Sequence, residues 1–167
     1  MSSESQTGNP FGTPSTSGPQ PIRPYQRQLN KFIGFLLRVP GLGAIVGRRL
    51  LILHVVGRKS GKRYDIPVAY TRDEGVLLIG TAMHPWVKNI RKDVPVQVSM
   101  GGPTRTASAE VLRDQESVMR LYEAIARDNH QNAGFNGIGF DGSGNPNKAD
   151  IYQTWQLGGA VIRLTLV

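Results

Sequence analysis

Cysteine is absent from the 167 residues of this chain. Disulfides, thiolate metal sites and cysteine nucleophiles are therefore excluded. The sequence also lacks an uncharged apolar run of the roughly 18 to 20 residues that a membrane-spanning helix needs. Its first residues do not show the basic stretch followed by an apolar one that marks a signal peptide. We therefore expect a cytoplasmic protein.

Metal-binding and serine hydrolase motifs are lacking too. The three histidines, His54, His84 and His130, form no H-x-H or H-x-x-x-H pair, so the sequence predicts no zinc site. Residues 141–150 (DGSGNPNKAD) lack the alternating oxygen ligands and the closing glutamate of a calcium-binding EF-hand loop. The motif G-x-S-x-G is missing, and no serine, histidine and acid stand out as a catalytic triad. We predict no metal site.

Acidic residues are missing from residues 23–63, which hold ten lysines and arginines. Residues 64–167 carry ten cations and eleven acids, so the basic excess behind the net charge of +8 lies in the earlier stretch. Such a concentration of positive charge attracts anions: nucleic acid, anionic lipid or a phosphorylated cofactor. Its aromatic residues are only Tyr25, Phe32 and Phe35, which argues against nucleic acid.

The first 24 residues differ in composition from the rest of the chain. Residues 1–24 are rich in Ser, Thr, Gly, Pro, Gln and Asn, and such a segment buries too little apolar area to offset its chain entropy. We predict a disordered tail over residues 1–24 and one domain over residues 25–167. Residues 29–37 carry the apolar stripe of an amphipathic helix. This helix either packs on the domain or, with the basic stretch 23–49, contacts an anionic membrane surface.

Apolar and β-branched residues with a period of two predict about six short strands. The predicted strands cover residues 50–56, 66–71, 76–81, 94–100, 105–112 and 161–167. No alternation of strand and helix is present, so a doubly wound parallel sheet is not favoured. The pattern indicates a mainly β, α+β fold, a closed or half-closed antiparallel barrel with crossing helices.

Three segments between the strands have other patterns. Residues 84–93 (HPWVKNIRKD) are long enough for a short helix that begins near Pro85. Asp114 can cap a longer helix, because apolar residues recur at helical spacing from Val118 to Ile125. Residues 129–150 are rich in Gly and Asn and have no period, which predicts a long ordered loop or lid.

The turn between the first two predicted strands, residues 57–63 (GRKSGKR), has the composition of an anion site. Its backbone N–H groups, together with Arg58, Lys59 and the Ser60 hydroxyl, can hold a phosphate or a carboxylate. It is not a P-loop, because the spacing G-x-x-x-x-G-K-[ST] is absent and no helical pattern follows. Composition alone leaves open the alternative of a solvated hairpin turn.

A family resemblance bears on that choice. The run LLILHVVGRKSGKRYDIPVAY, followed by TRDEG, WVKNI, VPVQVSMGG and YQTW, resembles the deazaflavin-dependent nitroreductase and quinone reductase family over roughly residues 29–167. Its most specific piece is G-R-K-[ST]-G with a proline six residues on. The resemblance implies a split β-barrel that binds coenzyme F420. The tail of F420 carries a phosphodiester and a polyglutamate chain, which a cluster of cations without nearby acids would accept.

The resemblance also assigns residues. Arg58, Lys59 and Ser60 would meet the phosphate and the tail. The pocket for the deazaflavin ring would be completed by Tyr64, Asp65, Ile66, Pro67, Val68, Ala69, Gly80, Thr81, Ala82, Met83, Trp86, Val87, Lys88 and Asn89. Tyr152, in YQTW, would orient the substrate or relay a proton. The nitroimidazole-reducing member of the family has a second tyrosine three positions earlier, where this chain has Ala149.

The implied activity is an oxidoreductase in which reduced F420 delivers a hydride to a quinone, an enone or a nitroaromatic acceptor. The expected partner is thus a small molecule, with peripheral contact at the inner face of the cell membrane through the basic stretch, and nucleic acid is not expected. The alternative is a non-catalytic member of the same fold that holds a lipid or the cofactor itself.

Overall fold

Seven antiparallel strands form one sheet in the part of the chain that the computed structural model describes, residues 8–20 and 49–167. The strands are β1 (Leu50–Val56), β2 (Arg63–Ala69), β3 (Thr71–Asp73), β4 (Val76–Ala82), β5 (Val96–Ser99), β6 (Arg105–Leu112) and β7 (Gly159–Leu166). Their order across the sheet is β2-β1-β5-β6-β7-β4-β3. The helix expected over residues 29–37 lies outside the described residues.

The sheet is curled, and Tyr70 shows why. Strands β2 and β3 stand at opposite ends of the strand order, yet Tyr70 is the only residue between them in the sequence. A single residue spans only about 3.5 Å, so the two ends of the sheet have to meet. Tyr70 is buried at that junction, and its backbone N–H donates to the Arg49 carbonyl at 3.1 Å. The result is a curled half-barrel of the split-barrel type, which confirms the predicted fold class.

The interior of the barrel holds the main hydrophobic core. Side chains alternate between the two faces of a strand, so Leu51, Leu53 and Val55 of β1 point inward together. The cross-strand partners of Leu53 and Val55 on β2 are Ile66 and Tyr64, and paired residues share a face of the sheet. This register therefore turns Tyr64 and Ile66 toward the same side as the core.

Three helices lie among the described residues: α1 (Gln115–Asp128), α2 (His130–Phe135) and α3 (Lys148–Gln156). Helix α1 begins where the sequence predicts, because the Asp114 carboxylate accepts a hydrogen bond from the Ser117 backbone N–H at 2.8 Å. Its apolar face and part of α3 form a second core with Leu78 of β4 and Val161 of β7. None of the described helices is long and apolar enough to cross a bilayer.

Several element boundaries differ from the sequence prediction. The predicted strands 50–56 and 105–112 are confirmed as β1 and β6. The predicted strand 66–71 is wrong as a single element: β2 covers residues 63–69, and residues 71–73 form a seventh strand. The short helix expected in residues 84–93 from near Pro85 is a one-turn 3-10 helix, Val87–Asn89.

The prediction of a long ordered loop or lid over residues 129–150 is wrong, because the segment contains α2 and the first turn of α3. Each of these helices begins at an asparagine. Asn129 accepts from the Asn132 backbone N–H at 3.0 Å, and Asn147 accepts from the Ala149 backbone N–H at 2.9 Å. Asparagine favours both loops and helix N-caps, and here it caps helices.

Residues 8–20, which we call the N-terminal strap, have a defined path in a region where the sequence predicts disorder. Asn9 donates to the Ala149 carbonyl at 2.7 Å, and the Gln20 backbone N–H donates to the Phe135 carbonyl at 3.0 Å. Polar contacts to the helical layer, instead of apolar burial, hold this segment. The remainder of the predicted tail lies outside the described residues, so the domain boundary at residue 25 stays a prediction.

Candidate functional site

A cavity of ≈ 810 Å³ lies between the β1–β2 turn and the 3-10 helix. This volume falls in the range of small-molecule and cofactor sites. The described residues that line it are Gly57, Arg58, Lys59, Ser60, Tyr64, Ile66, Pro85, Trp86, Lys88 and Asn89. The turn with the composition of an anion site is therefore one wall of a cavity.

Two glycines allow the turn to take its shape. The Gly57 backbone N–H donates to the Lys62 carbonyl, and the Gly61 N–H donates to the Gly57 carbonyl, each at 2.8 Å. Gly61 has a φ of +69°, a conformation that glycine adopts without strain. A Cβ atom at Gly57 would lie 2.6 Å from the Ser60 Oγ. A side chain at either position would thus distort the turn.

Asn89 ties the turn to the opposite wall. Its side-chain Oδ1 accepts a hydrogen bond from the Arg58 backbone N–H at 3.1 Å. This N–H group is consequently engaged within the protein and is not one of the backbone donors that the turn can offer to an anion. The donors that remain at this wall include the side chains of Arg58, Lys59 and Ser60.

Positive charge dominates the cavity. Arg58, Lys59 and Lys88 line it, and no aspartate or glutamate is among its described lining residues. Lys62, in the same turn, behaves differently, because its ammonium group lies over the Tyr64 ring, 5.7 Å from the centroid, and does not line the cavity. An anionic group in the cavity would meet three cations without a competing carboxylate.

The rest of the wall is aromatic and apolar. Tyr64 and Ile66 come from the inward face of β2, and Pro85 and Trp86 come from the segment after β4. The Trp86 ring is stacked on His84, with 6.4 Å between centroids and 17° between planes. Flat rings backed in this way can hold a planar ligand by stacking.

Asp65 and Pro67, both expected to line the pocket, lie on the opposite face of β2. Their cross-strand partners are His54 and Ile52, whereas the partners of the cavity-lining Tyr64 and Ile66 belong to the core. The alternation of a strand puts residues 65 and 67 on the face that residues 64 and 66 do not share. The period of two along the strand therefore separates residues 64 and 66, which line the cavity, from residues 65 and 67, which do not.

Asp65 takes part in a polar network on that outer face. Its Oδ1 lies 2.7 Å from the His54 Nδ1 and 2.9 Å from the Arg63 Nε. Burial opposes ionisation of Asp65, but the hydrogen bonds to His54 and Arg63 outweigh it and lower the pKa of the carboxyl. The carboxylate form of Asp65 is thereby favoured.

His54 contacts a partner through each ring nitrogen. Its Nε2 lies 2.8 Å from the Ser99 Oγ, so Ser99, His54 and Asp65 form a hydrogen-bonded series that the sequence did not reveal. The Arg63 Nη2 lies only 2.7 Å from the same Nδ1 that faces Asp65. Since His54 belongs to β1, Asp65 to β2 and Ser99 to β5, the network links three strands of the sheet.

The end of β4 packs against helix α1 instead of lining the cavity. The Tyr122 hydroxyl donates to the Thr81 carbonyl at 3.0 Å, and a Cβ atom at Gly80 would lie 3.1 Å from the Tyr122 ring. Burial raises the pKa of Tyr122. The expected pocket residues that are not among the described lining residues are Asp65, Pro67, Val68, Ala69, Gly80, Thr81, Ala82, Met83 and Val87. Val68 and Met83 pack against the barrel core.

Tyr152, expected to act on the substrate, lies on helix α3 and is not among the described lining residues. Its ring contacts Phe11 of the N-terminal strap and Trp155, with centroid distances of 5.8 Å and 5.3 Å. Its role with the substrate stays a prediction. Gly57 and Pro85 line the cavity without having been assigned, although both adjoin assigned residues in the sequence.

A family model described as F420H(2)-dependent quinone reductase matches residues 38–135, which includes the turn, the 3-10 helix and most of the barrel. No curated protein is significantly similar to the chain.

Solved structures resemble the chain at low sequence identity. One, described as a domain-swapped dimer, is 16% identical with a TM-score of 0.51, and the match covers 84% of this chain and 96% of that one. A conserved hypothetical protein from Mycobacterium tuberculosis is 14% identical, with 81% and 78% covered and a TM-score of 0.48. An F420-H2 dependent reductase is 17% identical, with 70% and 94% covered and a TM-score of 0.45. The first of these likenesses supports the fold.

Proposed function

This chain belongs to the F420H(2)-dependent quinone reductase family and is an F420-dependent oxidoreductase, and from that premise we propose that F420 binds in the cavity at the β1–β2 turn. We further propose that the hydride acceptor is a quinone, an enone or a nitroaromatic compound. The observation that carries the proposal is the pairing of three cations with an aromatic and apolar wall in one cavity.

The cavity suits the two chemical halves of F420. A phosphodiester and a polyglutamate tail need cations without competing acids, and Arg58, Lys59 and Lys88 supply them. A deazaflavin ring needs flat apolar neighbours, which Tyr64, Ile66 and Trp86 provide. The donor set of the described residues therefore fits the cofactor of the family.

When bound, reduced F420 supplies the hydride. The protein would hold the tail through the cations of the turn and keep the deazaflavin ring against Trp86. The ring would then present one orientation to the acceptor. The aromatic wall also excludes water from the side of the ring that it covers. The phenol of Tyr64 and the ammonium groups of Lys59 and Lys88 lie among the described lining residues, and each can pass a proton to a reduced acceptor.

A cofactor titration with matched lysine variants tests the proposed site. Wild-type protein should quench the fluorescence of oxidised F420 on binding. Lys59→Ala should raise the Kd by about tenfold, because one charge-assisted contact is lost. Lys62→Ala, in the same turn, should change the Kd by less than about twofold, because its ammonium group lies over Tyr64 outside the cavity. Equal losses in both variants, or no quenching by the wild type, would overturn the assignment.

The acceptor is tested by the oxidation of reduced F420. We expect turnover with a soluble menaquinone analogue. Turnover with a nitroimidazole should be much slower, because Ala149 stands where the nitroimidazole-reducing relative has a tyrosine. F420 binding without turnover of any quinone, enone or nitroaromatic would favour the alternative of a non-catalytic member that holds the cofactor.

Peripheral membrane contact through residues 23–49 stays part of the proposal. Arg49 is the one residue of that stretch that the structure describes, and its guanidinium lies 2.8 Å from the Asp128 carboxylate. Because this cation already has a partner, the remaining basic residues of the stretch would have to attract the anionic lipid. Removal of residues 1–39 should then reduce co-sedimentation with vesicles that contain an anionic lipid, and unchanged sedimentation would contradict the idea.

A further inference from the structure

The N-terminal strap is fastened to one buried carboxylate. Asp150, on helix α3, is 0% exposed. Its Oδ1 accepts from the Ser15 backbone N–H at 2.6 Å and from the Thr16 N–H at 3.3 Å, and its Oδ2 accepts from the Ser15 Oγ–H at 2.5 Å and from the Gly139 N–H at 2.9 Å. Three of these four donors come from the strap. A buried carboxylate needs such donors, so the strap satisfies a requirement of the helical layer.

The loop before α3 is shaped to receive the strap. A Cβ atom at Gly137 would lie 2.2 Å from the Gly18 carbonyl carbon, and one at Gly139 would lie 2.7 Å from the Ser15 Oγ. The Thr16 hydroxyl donates to the Gly137 carbonyl. Because the two backbones approach so closely, the absence of side chains at these positions is a condition for docking.

Apolar burial contributes little to this docking. Phe11 is the only large apolar residue of the strap, and it remains 44% exposed. The hydrogen bonds to Asp150 are therefore a main attachment of the strap to the helical layer. Ser15 donates two of these four bonds, one from its backbone N–H and one from its hydroxyl. Segments held by few apolar contacts open at low cost in free energy.

We propose that Ser15 is the position at which phosphorylation by a protein kinase releases the strap. In that reaction the Ser15 Oγ forms a bond to the γ-phosphorus of a nucleoside triphosphate, the bond from that phosphorus to the diphosphate leaving group breaks, and the hydroxyl proton passes to the base of the kinase. Ser15 lies in a segment without helix or strand and is classed as exposed. A kinase can therefore bind this segment in an extended form when the strap opens transiently.

The phosphate is incompatible with the docked state for two reasons. It replaces the O–H donor that Asp150 accepts, and it places close to two negative charges beside a buried carboxylate. No lysine or arginine is among the described hydrogen-bond partners of Asp150 to offset that charge. Release of the strap lets both the phosphate and Asp150 contact water.

The cofactor cavity gives an independent control. The described residues that line it belong to the β1–β2 region and to residues 85–89, whereas the strap contacts residues between 135 and 152. Opening of the strap should therefore leave F420 affinity unchanged. The inference does not depend on which ligand the cavity holds.

Hydrogen exchange on full-length protein tests the proposal. Three forms are compared: unmodified protein, protein with phosphoserine at position 15, and protein with phosphoserine at position 17. Ser17 is exposed and two residues away, and it is not among the described hydrogen-bond partners of Asp150, so it matches the added charge without replacing one of those donors. We expect the amides of residues 15 and 16 to exchange at least about tenfold faster with phosphoserine at 15. With phosphoserine at 17 the change should stay within about twofold.

An Asp150→Asn variant tests the cause. Removal of the carboxylate charge should shrink the effect of phosphoserine 15 on exchange by about threefold or more, because interacting groups are non-additive. Amides of β1 and β5, which pair with each other in the sheet, report whether each form is folded. The proposal is overturned if the amides of residues 15 and 16 stay protected with phosphoserine at 15, if position 17 has an equal effect, or if the effect persists in full in Asp150→Asn.

Discussion

Asn89 offers a sharp test of how the turn is held for binding. Its Oδ1 accepts from the Arg58 backbone N–H at 3.1 Å at an exposed position. In Asn89→Ala, water can replace the lost acceptor, so the free energy of unfolding should fall by only about 0.5 to 1 kcal/mol. In a chain of this length that corresponds to a decrease in Tm of about 2 to 4 °C or less.

The effect on cofactor affinity should be larger than the effect on stability. Without the bond to Asn89, the turn has to be ordered when the cofactor binds, together with the Arg58 and Lys59 side chains. Ordering a flexible side chain costs about 0.5 to 1.5 kcal/mol. For two side chains with partial loss of order, we expect about 1 to 2 kcal/mol, which raises the Kd roughly five- to thirtyfold.

Asn89→Asp separates order from charge. The carboxylate still accepts from the Arg58 N–H and adds a favourable charge among three cations, so stability should be unchanged or slightly higher. Affinity for an anionic cofactor should still fall, because the added carboxylate competes for the cations. This loss should shrink at about 0.5 M salt relative to about 0.05 M, because salt screens charges, whereas the loss in Asn89→Ala should not.

The measurements are thermal unfolding and F420 fluorescence titration at both salt concentrations. Asn145→Ala is the control, since Asn145 also accepts a hydrogen bond at an exposed position, from Arg127 at 3.1 Å, far along the chain from the turn. Cofactor affinity in Asn89→Ala equal to that of the wild type would refute the claim that this bond orders the turn.

Two further predictions concern stability. Tyr122→Phe should lower the free energy of unfolding by about 1 to 2 kcal/mol, because the buried Thr81 carbonyl loses its donor at 3.0 Å; Tyr152→Phe is the control in denaturant unfolding, and equal losses would contradict the reasoning. The hydrogen bond from the Arg163 side chain lowers the pKa of the Glu110 carboxyl from its ordinary value of 4.5; Lys92 adds to this effect and burial opposes it. The stability from Glu110 is therefore present above that value and is lost as the pH falls through the folded-state pKa. Tm should decline less between about pH 6 and about pH 3 in Glu110→Gln than in the wild type, and identical slopes would refute the linkage.

Strand positions could be predicted where the signal is local. The alternation of apolar residues located β1 and β6, and the charge and glycines of residues 57–63 singled out the turn that now forms a cavity wall. The break at Tyr70 was not predictable, because both sides of it have strand composition and only the closure of the sheet separates them. The two helices capped by Asn129 and Asn147 were missed since asparagine is equally typical of loops.

The division of the site residues had a signal that could have been used. Within residues 64–67, a period of two already separates the inward positions from the outward ones. The environment of Tyr152 had no such signal. Its neighbour Phe11 is distant in the sequence, and a segment of low apolar content gave no reason to expect docking. The strap docks through hydrogen bonds to the Asp150 carboxylate. That carboxylate needs donors from the protein only because the fold buries it away from water, and the sequence alone does not show this burial.

The single-residue link at Tyr70 also bears on aggregation. An exposed edge strand can pair with a strand from another molecule and so begin a fibre. Here the two outermost strands in the order, β2 and β3, are consecutive in the chain and are held together at Tyr70. A neighbouring molecule could extend the sheet at that junction only by first pulling the two strands apart and exposing a buried tyrosine. The connection that curls the sheet therefore also restricts access to the ends of β2 and β3 that adjoin Tyr70.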